Sequence, residues 1–562
     1  MTHAPRASRV PAGRRLGWRC AAVALLVLIV AEARGGTSPS GELRVGVAQL
    51  PATLDPTAVT TGPALMVFRQ LFQGLVELGE RGDIEPGIAG SWSVSPNGLI
   101  WTFRLRPDVQ FPNGVSLTPD VVVASLNRHL GAEEAGLRQP ASAWARVFRG
   151  PGAIVREVRR GEGGTVQIEL SQPFSPVLAV LAHPALAIVV TQNDAEMPFL
   201  GTGPYRVAER APGRLVLEAG PTSGSPPSRA GRLHISEIAD IATGLAQLGP
   251  GGSLDVYFAQ SPPAWGGLGL QTLSAPTSEV GLLALRTREG LLARKSLRQA
   301  IALALDPALL GPALGRSARL WPALLPPGSW GLREAPPATH DPARARHLLA
   351  QARATGAAVT LLAPGGLPGS DPSQLTEAIR LSLAVAGLKV GVRQESGDAY
   401  FQALRDGEGE LALHEVGTAV SDPHFMLRPL LASDAAVRGS ATNVAFYRSP
   451  LADSLLQRGS QLAFRPERLR LYQRLQADVA EEVPYIPLYV RLQWAVARPS
   501  VRTLRLDPGG RHRLDRVWVE PPPDAPPAPS AIPPAPPAMP MPAPTMPAPP
   551  LPPSPPPGAS SP

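Results

Sequence analysis

Leu43, Val45 and Val47 alternate with Glu42, Arg44 and Gly46, the two-residue period of a half-buried strand, so the folded part opens on a sheet. Leu99, Trp101, Phe103 and Leu105 alternate in the same way with Ile100, Thr102 and Arg104. Ser95-Pro96-Asn97-Gly98 supplies a turn after Trp92-Ser93-Val94, and together these predict a hairpin over 92–105. Val166, Ile168 and Leu170 repeat the alternation, as do Leu215 and Leu217. Helices have readable starts. Thr118 can cap, Pro119 suits the first helical position, Asp120 complements the dipole, and Val122, Leu126 and Leu130 share one face. Proline also opens helical patterns over 342–352 and 466–483; in the second, Leu469, Tyr472, Leu475 and Val479 form the apolar stripe and Pro484 stops it. Strands and helices mixed over this length predict α/β lobes.

The apolar stretch from Val177 to Val190 has 14 residues and contains His183-Pro184. That is short for the ~20 residues of a membrane span, so a buried strand-turn-strand is expected. At the N-terminus, Arg6, Arg9, Arg14, Arg15 and Arg19 precede an apolar run from Ala21 to Ala31 and the small-x-small triplet Ala31-Glu32-Ala33. This is the form of an export signal over residues 1–33, cleaved after Ala33, with an uncleaved membrane anchor as the rival reading. Cys20, the single cysteine, precedes the run rather than following it, so no lipid anchor is expected and the mature chain carries no disulfide. At the other end, 22 of the 42 residues from Pro521 to Pro562 are proline and Asp524 is the only charge. Such a segment cannot build a core and reads as a disordered tail, with a spacer or docking role as the alternative.

Composition adds a boundary. With 44% hydrophobic and 17% charged residues among 562, most of the chain can bury a core. The formal charge of +8 is half accounted for by the five arginines and Glu32 of the leader, and no basic stripe interleaves with aromatics. Nucleic acid is therefore not an expected partner. The skew to arginine, with Lys295 and Lys389 the only lysines, carries no functional weight.

Local catalytic signatures are lacking: there is no Gly-x-Ser-x-Gly elbow, no Walker-type loop and no Gly-x-Gly-x-x-Gly after a strand. His414-Glu415 begins like a zinc-protease motif, but Thr418 stands where the second histidine would be, so a polar pair is the plainer reading. Nine scattered histidines have no ligand spacing. No metal, no cofactor and no enzyme activity are expected.

Several segments, in order, resemble the large extracytoplasmic solute-binding proteins of ABC transporters, family 5, typified by oligopeptide-, dipeptide- and nickel-binding proteins. They are Leu54-Asp55-Pro56, Leu71-Phe72-Gln73-Gly74-Leu75-Val76, Ile88 to Val94, Asn97 to Arg106, Phe111 to Val115 and Leu117 to Val122. Gly201-Thr202-Gly203-Pro204-Tyr205, Arg298 to Asp306, Asp341 to Leu349 and Arg468 to Leu488 follow. The resemblance covers residues 41–520 and implies a two-lobed periplasmic-binding-protein fold of the large cluster C type, with an extra domain inserted in lobe I. Carried over, lobe I takes 41–84, 196–278 and 486–520, the inserted domain 85–195, and lobe II 279–485.

What the resemblance implies is a monomer in the periplasm that closes on a small-molecule or peptide ligand and delivers it to a permease in the inner membrane. A solute sensor or envelope-tethered binder is the alternative. In peptide-binding relatives an aspartate of lobe II pairs with the ligand's amine. Here the loop reads Gly417-Thr418-Ala419-Val420-Ser421-Asp422-Pro423, and counting back from Asp422-Pro423 puts Ala419 at that position. A ligand with a free amino terminus is thereby put in question. The expected ligand-lining residues are Thr60, Thr61, Trp144, Gly417, Thr418, Ala419 and Asp422; for Asp422 a turn-structuring role and for Trp144 core packing are the rival readings.

Overall fold

The computed structural model describes residues 41–521 apart from 59–61, 80–81, 130–152, 193–198, 221–226, 260, 262–268, 337–338 and 367–371. An eleven-stranded sheet organises the chain. One half runs Tyr205–Ala211, Arg214–Ala219, Arg232–Glu237, Glu42–Val47 and Val256–Ala259. The other runs Leu411–Gly417, Ala358–Pro364 and Lys389–Glu395, with Ala318–Leu320 on a separate edge. Two long antiparallel strands, Gln271–Leu285 and Tyr485–Ala497, belong to both halves and join them.

The alternation read at the N-terminus holds: Leu43, Val45 and Val47 are at most 1% exposed, because Glu42–Val47 is paired in parallel on both edges and lies inside the sheet. In the second half, side chains of Gln271–Leu285 divide by period two. Leu283 and Leu285 enter one core with the helices Lys295–Ala304, Pro342–Gln351 and Pro372–Ala386. Val280, Leu282 and Ala284 enter another with Gly397–Asp406, His424–Leu431, Pro450–Gln461 and Arg465–Glu482. That half is a sheet covered by helices on both faces.

A separate four-stranded sheet, in the order Ala89–Val94, Ile100–Leu105, Thr165–Leu170, Val155–Arg160, has its own core. The hairpin expected over 92–105 is there, closed by the Ser95–Gly98 turn, in which Asn97 Oδ1 accepts from Ser95 Oγ and the Leu99 amide. The helix Pro119–Asn127 packs on it with Thr118 Oγ1 accepting from the Val121 amide at 3.3 Å; Val122 and Leu126 are buried, and Leu130 lies outside the described residues. This unit also touches the helical half. Ser175 donates from its amide to the Ser460 carbonyl and from its hydroxyl to the Leu462 carbonyl; Asp83, ahead of the unit in the chain, pairs with Arg465.

One expectation is corrected. Val177–Val190 is not strand-turn-strand: Val177–Leu181 is a short α-helix and Pro184–Leu186 a 3-10 turn, with only Val190–Thr191 extended. His183 Nδ1 accepts from the Ala185 amide and Pro184 opens the turn, so capping chemistry decides the local conformation where apolar content alone could not. Among the described residues no helix is long and apolar enough to cross a membrane.

Candidate functional site

The two joining strands change register where they pass from one half to the other. Gln271 to Pro276 pair with Leu492 to Ala497, and Val280 to Ala284 with Tyr485 to Val490; the register shifts between Pro276 and Val280 and again between Gly281 and Leu282. Pro276 has no amide proton to give the ladder, so a break there costs little. The freed Ser278 amide donates to the Pro508 carbonyl at 2.9 Å, and Gln493 Nε2 donates to the Asp507 carbonyl at 2.8 Å. A C-terminal turn over 507–511 is thus fastened to the crossing.

Three segments meet at this turn. Asp507 Oδ1 accepts from the amides of Gly509 and Arg511 and from Arg511 Nε. Gly510, at φ +76°, packs so closely on Gly62 that a Cβ there would lie 3.1 Å from the Gly62 Cα. Gly62 opens the helix Gly62–Leu71, directly after Thr60 and Thr61, which fall outside the described residues together with Trp144. From the other side, Arg511 Nη1 donates at 3.3 Å to the carbonyl of Ala419. A guanidinium already tied to Asp507 therefore reaches the backbone of Ala419. Sequence reading missed Arg511, which has no local motif and gains its place only through folding.

The loop starts at Gly417, the last residue of Leu411–Gly417, facing Glu279 across the ladder. A Cβ on Gly417 would lie 2.7 Å from Glu279 Cγ, so glycine admits that side chain. Thr418 Oγ1 accepts from the Val420 amide at 3.0 Å and sets the turn, and Val420 is buried. Asp422 points the other way. Arg468 Nη2 donates to its two oxygens at 2.8 and 2.7 Å, and the His424 amide donates to Oδ1 at 3.0 Å. Arg468 also donates to the Gly459 carbonyl and the Tyr472 hydroxyl, with the Trp330 ring 5.0 Å away. Both ions are nearly inaccessible, and burial pushes the Asp422 carboxyl up against the pull of Arg468. Its carboxylate braces the turn from inside the helical half. Gly417, Thr418 and Ala419 remain at the crossing; Asp422 is turned toward Arg468.

Beside the crossing, a cavity of about 320 Å³ lies in the helical half. Leu375, Tyr400, Phe401 and Leu413 are among its walls, and Ser317, Gln374, His414, Glu415, Tyr489 and Arg491 are its polar lining. Glu415 Oε2 accepts from Tyr489 Oη at 3.0 Å and Arg491 Nε at 2.7 Å. Burial and the charge of Arg286 push His414 down to about 4, which leaves it neutral near pH 7. The His414-Glu415 pair is thus a pocket wall; among the described residues no three His, Cys, Asp or Glu side chains gather as a metal site.

A sequence profile described as bacterial extracellular solute-binding proteins, family 5 (middle), matches residues 83–437. The chain belongs to this family. Among family 5 relatives, it is 27% identical over 477 residues to a probable di/tripeptide-binding protein 5 of Pseudomonas aeruginosa, covering 78% of this chain and 88% of that one. It is 24% identical over 504 residues to a probable D,D-dipeptide-binding periplasmic protein of Escherichia coli, covering 85% and 93%. The solved structure of HbpA2 from Haemophilus parasuis superposes with a TM-score of 0.76 at 21% identity, over 85% of this chain and all of that one. The two sheet halves joined by two strands are the two lobes of this family 5 fold.

Proposed function

We propose that this family 5 protein captures a small peptide-like solute between its lobes in the periplasm and presents the closed form to an ABC permease. The observation that carries the reading is the meeting, at the Pro276–Val280 crossing, of the Gly417–Val420 loop and the 507–511 turn, fastened by Arg511. Two lobes whose chain passes between them through a pair of strands can move as bodies, and a solute touching both favours the closed arrangement through its differential affinity. The printed names of relatives, a di/tripeptide-binding and a D,D-dipeptide-binding protein, support a peptide-like solute.

In this reading lobe I comprises 41–84, 196–278 and 486–520, the four-stranded unit over 85–195 is inserted into it, and lobe II comprises 279–485. The leader is removed after Ala33, and the protein works as a monomer. Thr60, Thr61, Trp144, Gly417, Thr418 and Ala419 line the cleft, with Asp422 holding the loop from behind. Small-angle X-ray scattering of the chain with and without a pool of di- and tripeptides tests it. A smaller radius of gyration with peptide is expected, and an unchanged one across peptide, sugar and metal-chelate pools would overturn it.

A further inference from the structure

At the end of the helical half away from the crossing, a buried cation stands without a counter-charge. Arg286 follows the strand Gln271–Leu285 and is only 7% exposed. Its Nε donates to the Gly409 carbonyl at 3.1 Å, Nη1 to the Val444 carbonyl, and Nη2 to the Glu408 carbonyl at 3.1 Å. Carbonyls satisfy its hydrogen bonds but not its charge. Among the described residues no carboxylate lies within ion-pair distance of it, and the Glu408 carboxylate turns to Arg393. Burial, foremost, and the charge of Arg438 push Arg286 down to about 10. A buried ion is ordinarily paired, because leaving water without a partner is costly.

Arg286 lines an open cavity of about 590 Å³ together with Arg288, Arg438, Arg448, Glu289 and Glu410. Both carboxylates are engaged, Glu289 by Arg438 at 2.8 Å and Glu410 by the Thr360 amide at 2.7 Å. Arg448 donates to the Ala436 carbonyl at 3.2 Å, and the Arg288 side chain makes no hydrogen bond or ion pair among the described residues. The lining therefore carries two positive charges in excess, with unused donors on two exposed arginines. Phe446 is fixed beside them at φ +53°, a conformation that a bulky residue adopts only where its surroundings impose it. Asn443 does so, accepting from the Tyr447 amide and donating to the Ala432 and Tyr447 carbonyls. The Phe446 ring then lies 5.0 Å from the Arg286 guanidinium and 5.8 Å from that of Arg438. Two like charges gathered on one ring repel each other, and an anion beside them offsets that cost.

We propose that this cavity binds a phosphate monoester, with Arg288 and Arg448 donating to its oxygens and Arg286 supplying buried charge behind them. Such a group carries close to two negative charges near pH 7 and offers three acceptor oxygens, which matches the excess charge and the forked guanidinium donors. The phosphate belongs to a small soluble ester or to a lipid headgroup. The site is separate from the cleft: the ladder runs from Glu279–Gly417 at the crossing to Leu285–Leu411 here, six residues or roughly 20 Å at ~3.4 Å each. It does not rest on the solute-capture reading.

Isothermal titration of the full chain at pH 7.5 with inorganic phosphate, glycerol 3-phosphate and succinate, and flotation with vesicles of phosphatidic acid or phosphatidylcholine, test the proposal. Binding of the phosphates is expected, with a raised thermal midpoint that succinate does not give, and identifies a soluble ester. Binding of phosphatidic acid vesicles alone, without phosphatidylcholine, supports the site and identifies a headgroup. R288Q and R448Q replace exposed side chains and should each weaken the interaction roughly 10- to 100-fold, the range of a hydrogen bond to a charged group. No binding of phosphate, glycerol 3-phosphate or phosphatidic acid would overturn the proposal. Equal affinity for succinate, or binding that survives R288Q and R448Q together, would overturn it too.

Discussion

Asp422 and Ala419 stand three residues apart and show how much a single position decides. Counting back along the loop puts Ala419 where the resemblance implies a carboxylate, and a turn-structuring role for Asp422 is one of the two readings its sequence allows. The partner that gives Asp422 this role, Arg468, lies on a helix whose apolar stripe was legible but whose buried cation was not. An arginine among Leu469, Tyr472 and Leu475 reads as a polar face until the loop packs on it. Asp422→Asn leaves Arg468 buried without its counter-charge and should cost about 3–5 kcal/mol in urea unfolding. A loss under about 1 kcal/mol with abolished peptide binding would instead make Asp422 a ligand contact.

Histidines supply a second test at this scale. Burial, foremost, pushes His129, His414 and His512 down to about 4 and His183 and His424 to about 3. The unfolded chain takes up protons near pH 6.5, where the folded one does not. Between these values the unfolded state binds more protons, so stability falls as pH drops from about 7 toward 4. Urea midpoints at pH 7.5 and pH 5 should differ in that sense, by at least about 1 kcal/mol in unfolding free energy; equal midpoints would contradict the buried, neutral assignment.

Elements with strong local chemistry were legible: the Ser95–Gly98 hairpin, the Thr118-capped helix and the proline-opened helices appear where alternation and caps place them. Val177–Val190 was not, because a fully apolar run has no period to read and His183 decides its shape. The joining strands were also hidden, since a slip between Pro276 and Val280 exists only once the partner strand is in place. Gly281 is the sensitive point of that pairing: any Cβ would overlap the Tyr489 ring, and Tyr489 holds Glu415. Gly281→Ala should destabilise by about 1–3 kcal/mol through overpacking. A wild-type value in urea unfolding would show that the ring has room to move.

At the scale of the molecule, the family was readable because blocks from Leu54-Asp55-Pro56 to Tyr485-Ile486-Pro487-Leu488 occur in one order, and the matched profile over 83–437 lies within them. The surroundings of the crossing were less readable, because Arg491 meets Glu279 and Glu415, and Arg511 meets the Ala419 carbonyl, only once the strands are paired. That crossing makes solute capture the central claim. Its most direct test is native mass spectrometry of the chain purified gently from periplasm, beside a sample unfolded and refolded. The account predicts one small additional mass per chain in the native sample, absent after refolding and returned by adding the released solute. A bare chain mass in both samples would contradict it.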